Sequence, residues 1–179
     1  RPSLEVLEDR LVPAGFLVTN TADDTALGSL RRAIMGANAL PGPGTITFDI
    51  PGQGVQTITL GSDLPEITEA VTIDGYTQPG ASPNTLAVGS DAALLIELNG
   101  NNTASFGLFV RGSGSTIRGL VINRCTVTGV SISAVSFLAA NDNTIEGNFI
   151  GTDASGSLAL GNGLSGVSIV TDSSTTGSN

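Results

Sequence analysis

A repeated tetrapeptide frame is the feature that most constrains how this chain can fold. Thr-Ile-x-Gly reads TIRG at 116–119 and returns 28 residues later as TIEG at 144–147. The isoleucine is kept, whereas the residue after it changes from Arg118 to Glu146. Because successive side chains of a strand point to opposite faces, the frame predicts strands with the isoleucines facing a core and the charged residues facing outwards.

Similar short segments recur along the chain, rich in Thr, Ile, Leu and Val and separated by turn-forming residues. Taken alternately, they form two columns of apolar residues. The first column comprises Ile46, Ile73, Ile96, Ile117 and Ile145, and the second comprises Ile58, Leu86, Leu108, Val130 and Val167. Two interleaved columns predict a solenoid in which each rung, meaning one complete turn of the coil, adds a strand to at least two parallel sheets.

The outward position beside the first column varies in charge. It reads Thr47, Asp74, Glu97, Arg118 and Glu146, which would place Arg118 between two carboxylates. These charges are either solvated groups that avoid stacking like charges or a strip that binds a ligand. Exposed pairs of this kind contribute only about 0 to 1 kcal/mol each to stability.

The segment 29–38 follows a helical pattern instead. Apolar residues fall at Leu30, Ala33, Ile34 and Ala37, and Ser29 stands where it can cap the first amides. Gly36 weakens the helix, which therefore needs tertiary support. A short helix here would cover the first rung and close that end of the coil.

Composition excludes several functional classes. Lys and His are absent, and seven Arg face 16 carboxylates for a net charge of −9, so nucleic acid is a poor partner. The only cysteine, Cys125, cannot form a disulfide or a cysteine-based metal site within the chain. Lack of His also removes the usual zinc ligand and the Ser-His-Asp arrangement. No window approaches the roughly 18 apolar residues of a membrane span.

A Gly/Ser-rich loop at 151–165, GTDASGSLALGNGLS, is a candidate binding segment. Asp153, Leu158 and Asn162 are its candidate ligand-binding residues, because loops on rigid scaffolds commonly carry binding. The alternative is an inert hairpin with Leu158 and Leu160 buried. No cofactor or metal is predicted; calcium is the one alternative, although GTDASG lacks the alternating carboxylates of a dedicated calcium loop.

Three stretches together resemble a known family: FLVTNTADDTALGSLRRAIMGANALPGPGTITFDIPG, VTIDGYTQPG and NTIEGNFIGTDASGSLALGNGLSGVSIV. They are similar to the right-handed parallel β-helix repeat proteins of bacterial cell surfaces, within the pectin-lyase-like superfamily. The resemblance covers about residues 16–179. It implies an all-β, right-handed parallel β-helix with a short N-terminal capping helix, on a secreted or surface-attached bacterial protein.

Residues 1–15 are set apart from this domain. Their stretch LEVLEDRLVPA resembles the LEPR-XLL type of N-terminal segment in large exported bacterial proteins, with Asp9 in place of the proline. We expect residues 1–15 to form a poorly ordered export or sorting segment. We expect residues 16–179 to be a fragment of a longer coil whose further rungs follow in the same chain.

Two functional classes follow from the resemblance. One is a structural or adhesive scaffold, outside the cell or on its surface, that contacts polysaccharide or another surface ligand. The other is a polysaccharide lyase or glycoside hydrolase of the superfamily, in which Arg118, Glu97 and Glu146 would be the catalytic candidates. The Asn-Thr-Asp, Asp-Asp, Gly-His-Gly and Arg-Ile-Lys elements of polygalacturonase-type members are missing, which favours the scaffold. Asp74 is a further candidate ligand-binding residue.

Overall fold

A computed structural model of the protein describes residues 14–134 and 140–171. In these residues the chain forms twelve short strands, one α-helix and one short 3-10 turn at Gly75–Thr77. The helix α1 spans Leu30–Asn38. The strands are β1 Ala14–Val18, β2 Gly44–Phe48, β3 Gln56–Thr59, β4 Val71–Asp74, β5 Ile96–Asn99, β6 Phe106–Val110, β7 Thr116–Arg118, β8 Leu120–Asn123, β9 Thr128–Ala134, β10 Thr144–Glu146, β11 Phe149–Ile150 and β12 Ser165–Thr171.

The strands form three parallel sheets. The first sheet has the order β1-β2-β4-β7-β10, the second β3-β5-β8-β11, and the third β6-β9-β12. From β4 to β12 the chain passes through the first, second and third sheets in that order, three times. The protein is therefore β-rich, with several parallel sheets and few helical residues.

The predicted register holds within the first sheet. Ile46 pairs with Ile73, Ile73 with Ile117, and Ile117 with Ile145. Placing Ile96 in this column was wrong, because it lies in the second sheet beside Leu120. The segment 79–95 between β4 and β5 lengthens the path from Ile73 to Ile117, so Ile96 falls at a plausible sequence spacing but in another sheet.

The second predicted column is correct only in its last three members. Leu108 pairs with Val130, and Val130 with Val167, in the third sheet. Ile58 belongs to the second sheet, where it pairs with Leu98. Leu86 lies in no sheet and is half exposed in the loop between β4 and β5. Three sheets and a long loop cannot be described by two columns.

One contiguous core joins the sheets. It contains buried side chains from each sheet and from α1, among them Leu30, Ile46, Ile58, Leu98, Leu108, Ile117 and Val130. Burial of this apolar surface is the main force that holds the sheets together. Ile145, on the last strand of the first sheet, is only partly buried against the core.

The predicted helix is confirmed, including its cap and its buried face. The Ser29 hydroxyl accepts a hydrogen bond from the Arg32 backbone amide at 3.1 Å, and the four predicted apolar residues are the buried ones. The helix packs against β1 and β2. A Cβ on Gly36 would lie 2.5 Å from the Phe16 ring, so the residue that weakens the helix also allows it to approach β1.

Asparagine side chains connect the ends of neighbouring strands. Asn143 precedes β10, Asn148 lies between β10 and β11, and Asn162 precedes β12. Each side chain forms hydrogen bonds with backbone groups beside the neighbouring strand of the same sheet. Backbone groups at corners have no ladder partner, so these amides satisfy donors and acceptors that would otherwise be unpaired.

Replacing Asn148 by leucine should destabilise the protein by about 1 to 3 kcal/mol. The Asn148 amide donates to the Ile117 carbonyl at 2.9 Å and accepts from the Leu120 amide at 2.9 Å, and leucine leaves both groups unpaired. Urea unfolding would measure the loss, with Asn141→Leu as control because Asn141 is exposed. Equal unfolding midpoints for the two variants would contradict this role.

The predicted segment 1–15 lies almost wholly outside the described residues. Strand β1 begins at Ala14, so it crosses the boundary between 15 and 16. Within the described part of the chain, no helix is long and apolar enough to cross a membrane.

Candidate functional site

The frame Thr-Ile-x-Gly occurs three times in register on the first sheet, since Val71–Asp74 is followed by Gly75. The variable position therefore aligns Asp74, Arg118 and Glu146 on adjacent strands. Arg118 Nη2 lies 2.7 Å from Asp74 Oδ2, and Arg118 Nη1 lies 3.9 Å from Glu146 Oε1. These three residues are called the charged triplet below.

The predicted position of Glu97 beside Arg118 was wrong. Glu97 lies on β5 in the second sheet, where it accepts hydrogen bonds from the Thr57 hydroxyl at 2.6 Å and the Asn123 amide at 2.8 Å. The second carboxylate next to Arg118 is Asp74, which is buried and also accepts the Tyr76 backbone amide. The structure thus brings Arg118 and Glu146 together as predicted and separates both from Glu97.

The charged triplet keeps its arginine protonated. The hydrogen bond from Arg118 to Asp74, reinforced by the charge of that carboxylate, raises the pKa of the guanidinium above its ordinary value. A base must lose a proton before it can abstract one, so a raised pKa works against Arg118 as a general base. Its side chain is 41% exposed, which leaves the ion pairs open to screening by salt.

Tyr76 lies across the two later glycines of the repeated frame. Its hydroxyl donates to the Gly147 carbonyl at 2.7 Å, and a Cβ on Gly119 would lie 2.9 Å from its ring. Gly119 and Gly147 have φ of 73° and 59°, a left-handed conformation that favours glycine. The frame therefore needs glycine both for its backbone and for the space that Tyr76 occupies.

A groove of about 500 Å³ opens beside the charged triplet. One wall carries Tyr76, Arg118, Glu146 and Phe149. This wall combines two aromatic rings with a cation and a carboxylate, a mixture of apolar surface and a few placed polar groups that is typical of ligand sites.

The loop between β4 and β5 forms the opposite wall, with Pro83, Asn84, Ser90 and Ala92. Internal hydrogen bonds fix its shape. Ser82 and Ala93 exchange backbone bonds of 3.0 and 2.9 Å, and Asn84 Oδ1 accepts the amides of Leu86 and Asp91.

The loop 151–165 contains a short hairpin. Thr152 and Ala159 form an antiparallel bridge, and the Asp153 carboxylate accepts bonds from the Ser155 hydroxyl and the amides of Ser157 and Leu158. The Ser155 bond, followed by these backbone bonds, lowers the pKa of Asp153. The predicted burial of Leu158 is wrong, since it is 58% exposed.

Asn162, the remaining candidate of that loop, has a structural position. Its amide oxygen accepts the Cys125 backbone amide at 3.0 Å. The candidate ligand-binding residues therefore fall into two groups, with Asp74 in the charged triplet and Asp153, Leu158 and Asn162 on or beside the hairpin.

Sequence reasoning missed Tyr76, Phe149 and the loop wall. Tyr76 follows the earliest member of the frame in VTIDGYTQPG, and this position is the only sequence signal that links it to the charged triplet.

In residues 14–134 and 140–171, no group of three or more His, Cys, Asp or Glu side chains is arranged to hold a metal ion. The sequence matches no family model, and a search of curated proteins finds no match.

Proposed function

We propose that the protein is a right-handed parallel β-helix that acts as a bacterial scaffold, secreted or on the cell surface, and binds glycans in the groove beside the charged triplet. The repeated passage through three parallel sheets supports the β-helix. Crossovers between parallel strands of one sheet are right-handed in about 98% of cases, which supports the handedness. The resemblance to surface repeat proteins supports the location.

The groove is the observation on which the binding function rests. Sugars present apolar C–H faces together with hydroxyl groups, so a site for them needs aromatic surface beside hydrogen-bonding groups. Tyr76 and Phe149 supply the aromatic surface, and Arg118 and Glu146 supply the polar groups. Tyrosine is suited to such a mixed site because its ring is apolar and its hydroxyl polar.

The groove is also preorganised. Tyr76 is tied to Gly147 across the sheet, and the opposite wall is closed by the Ser82–Ala93 bridge. A site that is already ordered loses less conformational entropy when a ligand binds, which favours affinity. Arg118, Glu146 and Phe149 lie on strands β7, β10 and β11, which hold them at fixed positions.

The charged triplet supports binding better than catalysis. Arg118 is the lyase candidate, but Asp74 holds it as a cation at 2.7 Å. Glu97 accepts bonds from Thr57 and Asn123 and lies in a different sheet from Arg118. The three catalytic candidates therefore do not form one constellation, whereas the groove keeps Arg118 and Glu146 available to hydroxyl groups.

A glycan array followed by calorimetry on the strongest ligand tests this function. We expect Phe149→Ala to weaken binding about 10-fold, equivalent to about 1.4 kcal/mol, because it removes one of the two aromatic rings of the groove. Phe109→Ala is the matched control, since Phe109 is a half-buried phenylalanine of the third sheet that stacks on Phe106 with ring centroids 5.0 Å apart.

Circular dichroism melts should show both variants folded at the assay temperature. Equal losses of affinity in the two variants would contradict binding in the groove. Polysaccharide cleavage by the parent protein, measured as unsaturated-uronate absorbance and abolished by Arg118→Ala, would instead establish the enzyme.

A further inference from the structure

We infer that the groove selects glycans with free amino groups, whose ammonium is held by Glu146 against the rings of Tyr76 and Phe149. This inference rests on the proposed glycan-binding function and specifies its ligand class. It differs from the expectation for a uronate-binding protein, because the charges on the groove wall favour a cation.

The first step is the balance of charge at the triplet. Arg118 is the only cation among the groove residues, and its strong contact, at 2.7 Å, is with the buried carboxylate of Asp74. Glu146 stands 3.9 Å from the other guanidinium nitrogen, and its side chain is 56% exposed. Two carboxylates thus share one guanidinium, and Glu146 keeps oxygen lone pairs directed to solvent and available to an ammonium.

The second step is the electrostatic potential at Tyr76. Burial raises the pKa of its hydroxyl, and the carboxylates of Asp74 and Glu146 raise it further, against the opposing effect of Arg118. The same carboxylate charges that disfavour a phenolate at this position favour a bound cation. An ammonium over the face of a Tyr or Phe ring is also attracted by the ring quadrupole.

The opposite wall does not supply a compensating cation. Asp91 stands between the groove residues Ser90 and Ala92, and hydrogen bonds from Thr85 lower the pKa of its carboxyl. The whole chain has a net charge of −9. A uronate chain would therefore approach a protein of net negative charge with Glu146 in the groove lining, whereas an amino sugar meets opposite charge.

Calorimetry with three tetrasaccharides tests the inference on the full chain. The probes are the β-1,4-linked glucosamine tetramer, its N-acetylated counterpart and the galacturonate tetramer, at pH 5.5, where carboxyl groups ionise and sugar amines are protonated. We expect the glucosamine tetramer to bind about 10-fold more tightly than the N-acetylated one, since only it carries the ammonium. Its affinity should also fall with rising salt, while that of the neutral tetramer changes little.

Glu146→Gln should weaken binding of the glucosamine tetramer about 10-fold and so reduce its advantage over the N-acetylated tetramer, because the glutamine amide still bonds hydroxyl groups but carries no negative charge. Glu66→Gln is the matched control, because it changes the net charge equally but alters a carboxylate paired with Arg111 outside the groove. The salt dependence of the unmodified protein provides a test that does not depend on how either variant folds.

Each outcome separates the inference from the function on which it rests. If the N-acetylated or galacturonate tetramer binds as tightly as the glucosamine tetramer, and Phe149→Ala still weakens it, the amino-sugar preference is overturned and glycan binding stands. If tri-lysine matches the glucosamine tetramer, selection acts on ammonium alone and the amino-sugar assignment is also overturned. If no tetramer binds and the array is silent, glycan binding itself fails.

Discussion

Replacing Gly75 by alanine is expected to destabilise the protein by about 3 kcal/mol or more. A Cβ at this position would collide with the Gly119 carbonyl oxygen and lie 2.9 Å from Leu120 Cδ2. The obstacle is mainly backbone on the adjacent layer, so no change of rotamer can relieve it. The chain would have to separate β4 from β7 at their ends, where Arg118 pairs with Asp74.

Gly161→Ala is the matched control for this substitution. A Cβ on Gly161 meets nothing within 4 Å, and its backbone does not have the positive φ that favours glycine. Urea unfolding should therefore show a near-native midpoint for Gly161→Ala and a much lower one for Gly75→Ala. Similar midpoints would mean that the backbones at Gly75 and Gly119 are less closely packed than they are in the structure.

Gly75 also shows why the sequence predicted one sheet well. Its frame, VTIDG, shares Thr, Ile and Gly with TIRG and TIEG, and strand alternation alone places the isoleucines inwards and the variable residues outwards. The helix was equally accessible, because its cap at Ser29 and its apolar face are local features. Local periodicity predicts elements of this kind.

The sequence-based prediction was wrong where the number of residues between successive strands of one sheet changes. Ile96 and Leu86 were assigned by spacing, but the segment 79–95 adds residues without adding a strand, so equal spacing no longer means equal position. Glu97 was misplaced with Ile96, its neighbour on β5. Sequence spacing measures distance along the chain, whereas register depends on which backbone groups pair.

The site was predictable only in part for a related reason. Arg118 and Glu146 share the repeated frame and were predicted as neighbours, but the bond from Tyr76 to Gly147 spans 71 residues and leaves no local pattern. Asp153 and Asn162 were predicted from the composition of their loop. In the structure both accept hydrogen bonds from backbone amides, Asp153 within its own turn and Asn162 from Cys125.

Replacing Ile117 by alanine should cost about 2 to 5 kcal/mol, the range for large-to-small changes in a packed core. Ile117 is 1% exposed and lies between Ile73 and Ile145 on neighbouring strands, so there is little room for the core to collapse around the missing atoms. Ile117→Val, which removes one methyl group, should cost only about 0.5 to 1.5 kcal/mol. Urea unfolding of both variants measures the difference.

Ile145→Ala provides the comparison that tests the order of strands in the first sheet. Ile145 occupies the equivalent position on β10, but this strand is last in the first sheet and its isoleucine is only partly buried. Because less apolar surface returns to water on mutation, we expect Ile145→Ala to cost about half as much as Ile117→Ala. A larger cost at Ile145 would contradict this order, in which Ile117 is the more deeply buried of the two isoleucines.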